Sequence, residues 1–191
     1  MVYLKAASGV GKTTLAKIIM GIQFCRNLNL IIGRYKFTEH TPKAAWQREV
    51  WGKRIGMIFQ HADEALNQNA TVKEVFGGLP GHSNMTMSYL IDRLNELFDF
   101  PITEAFLKKK VALLSGGQKQ RLNLLRTLIL DTDIVILDEP LNGLDFISIK
   151  KVIDKLQQKQ KEGKAILMVS HNEEIFDAII PPENVYYLSI A

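Results

Sequence analysis

The sequence predicts an α/β protein: a parallel β-sheet covered on both faces by helices, with a helical insert in mid-chain. Three observations carry this. Short, uniformly apolar runs such as Asp133–Leu137 and Ala165–Val169 recur along the chain, as expected of strands buried on both faces. Longer segments of helical periodicity separate them, which is the alternation of a parallel α/β sheet. Residues 61–114 differ in composition, with Gly and Pro punctuation near Gly77–Gly81 and a mostly helical pattern.

In chain order, Met1–Lys5 reads as a first strand. It runs into the Gly-bearing stretch Ala6–Thr14, and Leu15–Met20 continues as helix. Arg54–Phe59 is a second short apolar run, followed by Gln60. Met87–Phe98 is predicted as a helix within the insert. Gly116–Leu130 reads as one helix opening at two glycines, and Asp133–Leu137 as a buried strand. Ile147–Lys161 is an amphipathic helix, Ala165–Val169 a buried strand, and Val185–Leu188 a last strand. The expected division is a core formed by 1–60 and 115–191 with a helical subdomain at 61–114. No repeat or low-complexity tract is visible.

A length of 191 residues suits one domain with a sizeable core. With 23% charged residues, 47% hydrophobic residues and a mean hydropathy near zero, disorder, collagen-like repeats and coiled coil are excluded. The pI near 9.1 rests on a net charge of only +4, so no nucleic-acid partner is expected. Lys108-Lys109-Lys110 reads as a solvated helix end. No apolar run approaches the roughly 18–20 residues that span a bilayer. Lys12 and Lys17 interrupt any secretory leader, and the single Cys25 can form no internal disulfide. Cys25 is expected as a small buried hydrophobe, and the compartment as the cytosol.

The strongest local signal is Gly9-x-Gly11-Lys12-Thr13, after a strand and before a helix. Small residues let successive backbone N–H groups curl around phosphate oxygens, and the helix N-terminus adds partial positive charge. Lys12 can reach β- and γ-phosphates and the Thr13 hydroxyl can ligate Mg²⁺. The pattern G-x-x-x-x-G-K-[ST] places a glycine at position 6, where this chain has Ala6.

Val135–Leu137 then leads to Asp138-Glu139-Pro140, a buried strand that ends in two carboxylates at the sheet edge. Asp138 suits a metal's coordination shell and Glu139 a general base, although such a pair alone also caps helices. Leu114-Ser115-Gly116-Gly117-Gln118 offers another anion-binding helix start, or simply an N-capped helix. His171, at a strand end, is on its own an ordinary loop histidine.

The set Gly9–Thr14, Gln60, Leu114–Gln118 with Lys119-Gln120-Arg121, Leu137–Pro140, Leu144-Asp145 and Ser170-His171 resembles the nucleotide-binding domain of ATP-binding cassette (ABC) proteins. The separations suit that family: Lys12 to Ser115 is 103 residues, Ser115 to Asp138 is 23, and Asp138 to His171 is 33. The likeness covers essentially the whole chain. It implies a P-loop NTPase core of RecA-like type with a helical subdomain, binding ATP and Mg²⁺.

By position, Ser8, Gly9, Val10, Gly11, Lys12, Thr13 and Thr14 would form the phosphate loop. Gln60 would sense Mg²⁺ and the attacking water. Ser115, Gly116, Gly117 and Gln118 would form the signature that caps ATP held by a second cassette. Thr13, Gln60 and Asp138 would serve the metal, Glu139 would be the base and His171 the γ-phosphate switch. The ATPase would then work as a head-to-tail dimer, homo- or heteromeric.

Three departures accompany the resemblance. Family members usually carry some thirty residues before the phosphate loop, including an aromatic that stacks on adenine, and the last strand Val185–Leu188 stops soon after it starts, so a domain shortened at both ends is expected. Tyr3 lies too near Lys12 to replace that aromatic. Leu141 stands where the family often has serine.

His61–Val72 is similar to the corresponding stretch of peptide and nickel importer ATPases, with Gln68 in place of a proline. The resemblance therefore implies an energising subunit on the cytoplasmic face of a membrane. It would dock on separate integral permease subunits and drive import of peptides, metals or a similar solute. The alternative is a soluble ABC ATPase that remodels or activates a cytosolic partner, such as an enzyme-activation or ribosome-associated factor.

Overall fold

The computed structural model describes residues 1–7, 9–82 and 85–189. Its centre is a five-stranded sheet of β1 (Val2–Lys5), β4 (Ile55–Ile58), β5 (Ile134–Asp138), β6 (Ala165–Val169) and β7 (Val185–Tyr187). The order is β4-β5-β6-β1-β7, and every pairing is parallel. Val135 lies beside Gly56 on one side and Ile166 on the other, so β5 is central.

Uniform apolarity follows from this placement, because side chains alternate between two buried faces. Ile58, Val135, Leu137, Ile166 and Met168 enter one core. There they meet α6 (Gly116–Ile129), the insert helix α4 (Met87–Asn95) and α7 (Phe146–Lys161). Ile55, Met57 and Ile136 enter the other, against Ala16 and Met20 of α1 (Lys12–Ile19) and its end.

That second core also contains an element the sequence reading passed over. β2 (Asn29–Ile32) and β3 (Tyr35–Thr38) form an antiparallel hairpin, and α2 (Lys43–Glu49) follows it. Phe37 and Trp46 pack with ring centroids 4.3 Å apart and close this layer onto α1.

Between β4 and α6 lie α3 (Ala62–Ala65), α4, α5 (Glu104–Leu107) and two 3-10 turns, Glu74–Phe76 and Val111–Leu113. The helix predicted over Met87–Phe98 begins under the Thr86 cap and ends at Asn95, whose side chain instead accepts a bond from the N–H of Ile102. Cys25 departs from expectation. The helix stops before it, and Cys25 is half-buried in the following loop, its thiol 3.5 Å from the Arg26 carbonyl. Lys108, Lys109 and Lys110 are exposed as expected. No helix among the described residues is long and apolar enough to cross a membrane.

Candidate nucleotide site

In a parallel sheet all carboxyl ends lie on one edge, and the four neighbouring strands β4, β5, β6 and β1 gather residues distant in sequence. Gln60 follows β4, Asp138 ends β5 and Glu139 follows it. Ser170-His171 follows β6, and the phosphate-loop stretch follows β1.

In that loop Gly9 has φ +80° and Gly11 φ +108°, conformations that glycine alone reaches without penalty. Ala6 takes no positive φ, so the missing first glycine strains nothing at that position. Lys12 is buried and folds back on its own loop, donating to the carbonyls of Ala6 (2.6 Å) and Ala7 (3.2 Å). Ser8 lies outside the described residues. Val10 is half-buried, and Thr14 is exposed in the first turn of α1.

Thr13, Gln60 and Asp138 line a common cavity of about 510 Å³, with Lys17 and Glu64 beside them. Asp138 is 1% exposed, and its Oδ2 is buried with no hydrogen-bond partner among the described residues. Burial pushes its carboxyl above the usual aspartate range, and nearby Thr13, Lys17, Lys12 and His171 pull it back down.

Glu139 has φ +51°, in the left-handed region that a residue bearing a Cβ seldom occupies. Its Oε2 accepts from Ser170 Oγ at 2.9 Å, while Oε1 is buried with no hydrogen-bond partner among the described residues. His171 Nε2 stands 3.7 Å from that oxygen, on a half-exposed side chain. Ser170 in turn accepts at its carbonyl from Tyr3 Oη (2.9 Å) and at its hydroxyl from the Asn172 N–H (3.1 Å). Burial, followed by the charge of Glu173, pushes the Tyr3 phenol up to about 12, so Tyr3 is a permanent donor at neutral pH.

Ser115–Gln118 does not line the cavity. Ser115 and Gln118 form a reciprocal capping box at the start of α6. Gly117 lies so close to the Leu141–Asp145 loop that a Cβ there would sit 2.8 Å from the Gly143 carbonyl oxygen. The site is thus two groups: Lys12, Thr13, Gln60, Asp138, Glu139 and His171 at the sheet edge, and the α6 cap apart from them.

Three residues here had no assigned role in the sequence reading. Ser170 and Gln120 hold Glu139, and Arg121 ties the cap to the first turn of α7 and to Asp99. The Arg121 guanidinium donates to the Gly117 carbonyl (3.3 Å), to Ser148 Oγ (2.6 Å) and to Asp99 (3.1 Å). Their sequence neighbourhood marks them as part of a motif, and only the folded contacts say what they touch.

Residues 1–142 match the family model described as ABC transporter. The chain belongs to the ABC transporter ATP-binding family. An ABC transporter ATP-binding protein from Methanosarcina acetivorans, named there as putative, is 34% identical over 88% of this cassette, which spans 32% of that relative. The nickel import ATP-binding protein NikE of Shigella boydii is 32% identical over 90% of the cassette and 64% of its own length. LarO of Lactiplantibacillus plantarum, also named for nickel import, is 29% identical over 92% of the cassette and 73% of its own length.

The chain therefore spans between a third and three quarters of these relatives. In structure, the cassette superposes on the dimeric, post-hydrolysis ATP-binding cassette MJ0796 bound to ADP and Pi with a TM-score of 0.81. That match covers 99% of this chain and 81% of the other at 22% identity, which establishes the P-loop ABC cassette fold.

Proposed function

We propose that this cassette hydrolyses Mg-ATP as the energising subunit of an ABC transporter. The observation that carries the reading is Glu139: a buried carboxylate with one oxygen held by Ser170 and the other, beside His171, without a hydrogen-bond partner. A buried acceptor left open at a sheet edge suits a general base for an attacking water. Glu139 Oε1 takes the proton, and His171 and Gln60 orient the γ-phosphate and that water. Lys12 releases the Ala6 and Ala7 carbonyls to reach the phosphates, with the loop N–H groups at Gly9–Thr14 around them.

Mg²⁺ fits the same edge. The partnerless Oδ2 of Asp138 and the Thr13 hydroxyl are hard oxygen donors of the kind this ion takes, one or two from protein and the rest from phosphate and water. Held there by Thr13, Asp138 and Gln60, the ion would supply neutralisation of developing phosphate charge.

Ser115–Gly117 does not line the chain's own cavity, which supports capping of ATP on a second cassette in a head-to-tail dimer. Residues 1–60 and 115–191 form the ATPase core in this reading, and 61–114 the helical subdomain that meets a membrane partner. Import of peptides or metals is supported by the His61–Val72 likeness and by the nickel-import names of two relatives. Integral permease subunits would hold the cassette at the cytoplasmic face.

Glu139→Gln is the test. The variant should still bind Mg-ATP and should lose at least about 100-fold in turnover, the scale of a general base. Unchanged hydrolysis removes Glu139 from the role. Purification from detergent-solubilised membranes, with partners identified by mass, tests the transporter assignment. A membrane protein at fixed stoichiometry supports it, and a purely soluble partner overturns it.

A further inference from the structure

Glu139 sits in an unfavourable backbone conformation, and something must hold it there. The next strand supplies one restraint, since the Glu139 N–H donates to the Val169 carbonyl at 2.8 Å. The turn itself adds a second, from the Asn142 N–H to the Glu139 carbonyl at 3.3 Å, and α6 supplies a third. Gln120 is 3% exposed, and its Nε2 donates to the carbonyls of both Glu139 (3.2 Å) and Pro140 (3.1 Å). Those carbonyls lie where the chain leaves β5 and turns, so one amide clamps the peptide unit that follows the Glu139 Cα and the unit after it, while the Val169 bond holds the unit before.

The same helix begins, less than two turns earlier, at the Ser115 capping box and at Gly117 packed on Gly143. An α-helix is stiff over this distance, so a displacement of its first turn moves Gln120 with it.

We propose that Gln120 is a positioning residue for Glu139, linking the α6 anion cap to the carboxylate at the chain's own sheet edge. The proposal rests on reading Glu139 as the base. With the amide gone, the buried Pro140 carbonyl loses that donor, the Glu139 carbonyl keeps only the Asn142 N–H, and the left-handed turn loses a restraint. The carboxylate then drifts from its water while the phosphate loop, after β1, and Asp138, paired within the sheet to Val169, stay in place. A cap that closes on the partner cassette's nucleotide would in this way also set the base of its own site.

The experiment compares wild type, Gln120→Met, Glu139→Gln and the double variant, all as the full chain. It measures kcat and KM for Mg-ATP, with kcat normalised to the stoichiometry of Mg-ATP binding so that misfolded molecules do not count. A misplacement of about 1 Å costs on the order of 100-fold in rate. The expected result is a kcat lower by about 10–100-fold in Gln120→Met with KM within about twofold. The double variant should be no slower than Glu139→Gln alone, because both act through one carboxylate.

Normalised kcat equal to wild type, or losses that multiply in the double variant, overturn the proposal. Wild-type turnover indifferent to Glu139→Gln overturns the reading of Glu139 itself, and the proposal with it. Turnover that depends on Glu139 and not on Gln120 overturns the proposal alone. If Gln120→Met binds no nucleotide, Gln120→Asn, whose amide is one methylene too short to reach both carbonyls, is measured against the same outcomes.

Discussion

Ser170 donates a 2.9 Å hydrogen bond to Oε2 of Glu139, and both side chains are almost fully buried. A carboxylate held by one oxygen keeps the other in a fixed direction, and hydrogen bonds to charged groups contribute about 1.5–3 kcal/mol. Ser170→Ala should therefore lower kcat for Mg-ATP by about tenfold with KM unchanged, the tenfold corresponding to about 1.4 kcal/mol. Ser170→Thr keeps the hydroxyl and should restore most of the rate. Steady-state kinetics on both variants decide this; an Ala variant as fast as wild type would show the bond to be idle.

A second prediction concerns acid stability. Asp145 caps α7, its carboxylate accepting from the Ser148 N–H (2.8 Å) and the Ser148 hydroxyl (3.0 Å). These bonds, and the charge of Arg121, hold its carboxyl below the usual aspartate range. A folded-state pKa below the unfolded one means stabilisation that is present above about pH 4 and lost as pH falls through the depressed value. Asp145→Asn keeps a cap and loses the charge. Wild type should melt higher than this variant at neutral pH, and the two curves should converge in acid. A difference independent of pH would assign the effect to shape alone.

How much of this was readable beforehand follows from where the information lies. Strands β1, β4, β5 and β6 are buried on both faces, so each announces itself as an unbroken apolar run of three to five residues. The β2–β3 hairpin is different. Only Ile32 and Phe37 of its strands are fully buried, the rest being exposed or partly buried, and Asn29–Thr38 reads as mixed polar sequence around Gly33-Arg34. That Gly-led pair between two short β-prone runs was the available signal. Cys25 misled because Ile18–Cys25 is apolar across a helix end.

Within the candidate site, the placement of Lys12, Asp138 and Glu139 at the sheet edge was legible because each ends or closely follows an apolar strand. The φ of Glu139 and the grip of Gln120 were not, since they are contacts with backbone atoms 19 and 20 residues away. Such contacts leave no periodicity in the sequence.

The last prediction separates the two glycines of the α6 cap. Both lie in the first turn, where either could serve merely to expose backbone N–H groups. A Cβ at Gly116 would meet no heavy atom within 4 Å, whereas one at Gly117 would sit 2.8 Å from the Gly143 carbonyl oxygen. That oxygen belongs to backbone and cannot swing aside, so α6 or the Leu141–Asp145 loop must shift. Overpacking of this kind costs about 1–3 kcal/mol, while Gly→Ala in a helix is otherwise favourable by about 0.5–1 kcal/mol. Thermal unfolding should therefore place Gly116→Ala at or above wild type and Gly117→Ala several degrees below it. Equal melting temperatures for the two variants would mean that Gly117 and Gly143 are not packed as described, and that the α6 cap and the Asp145 loop move independently.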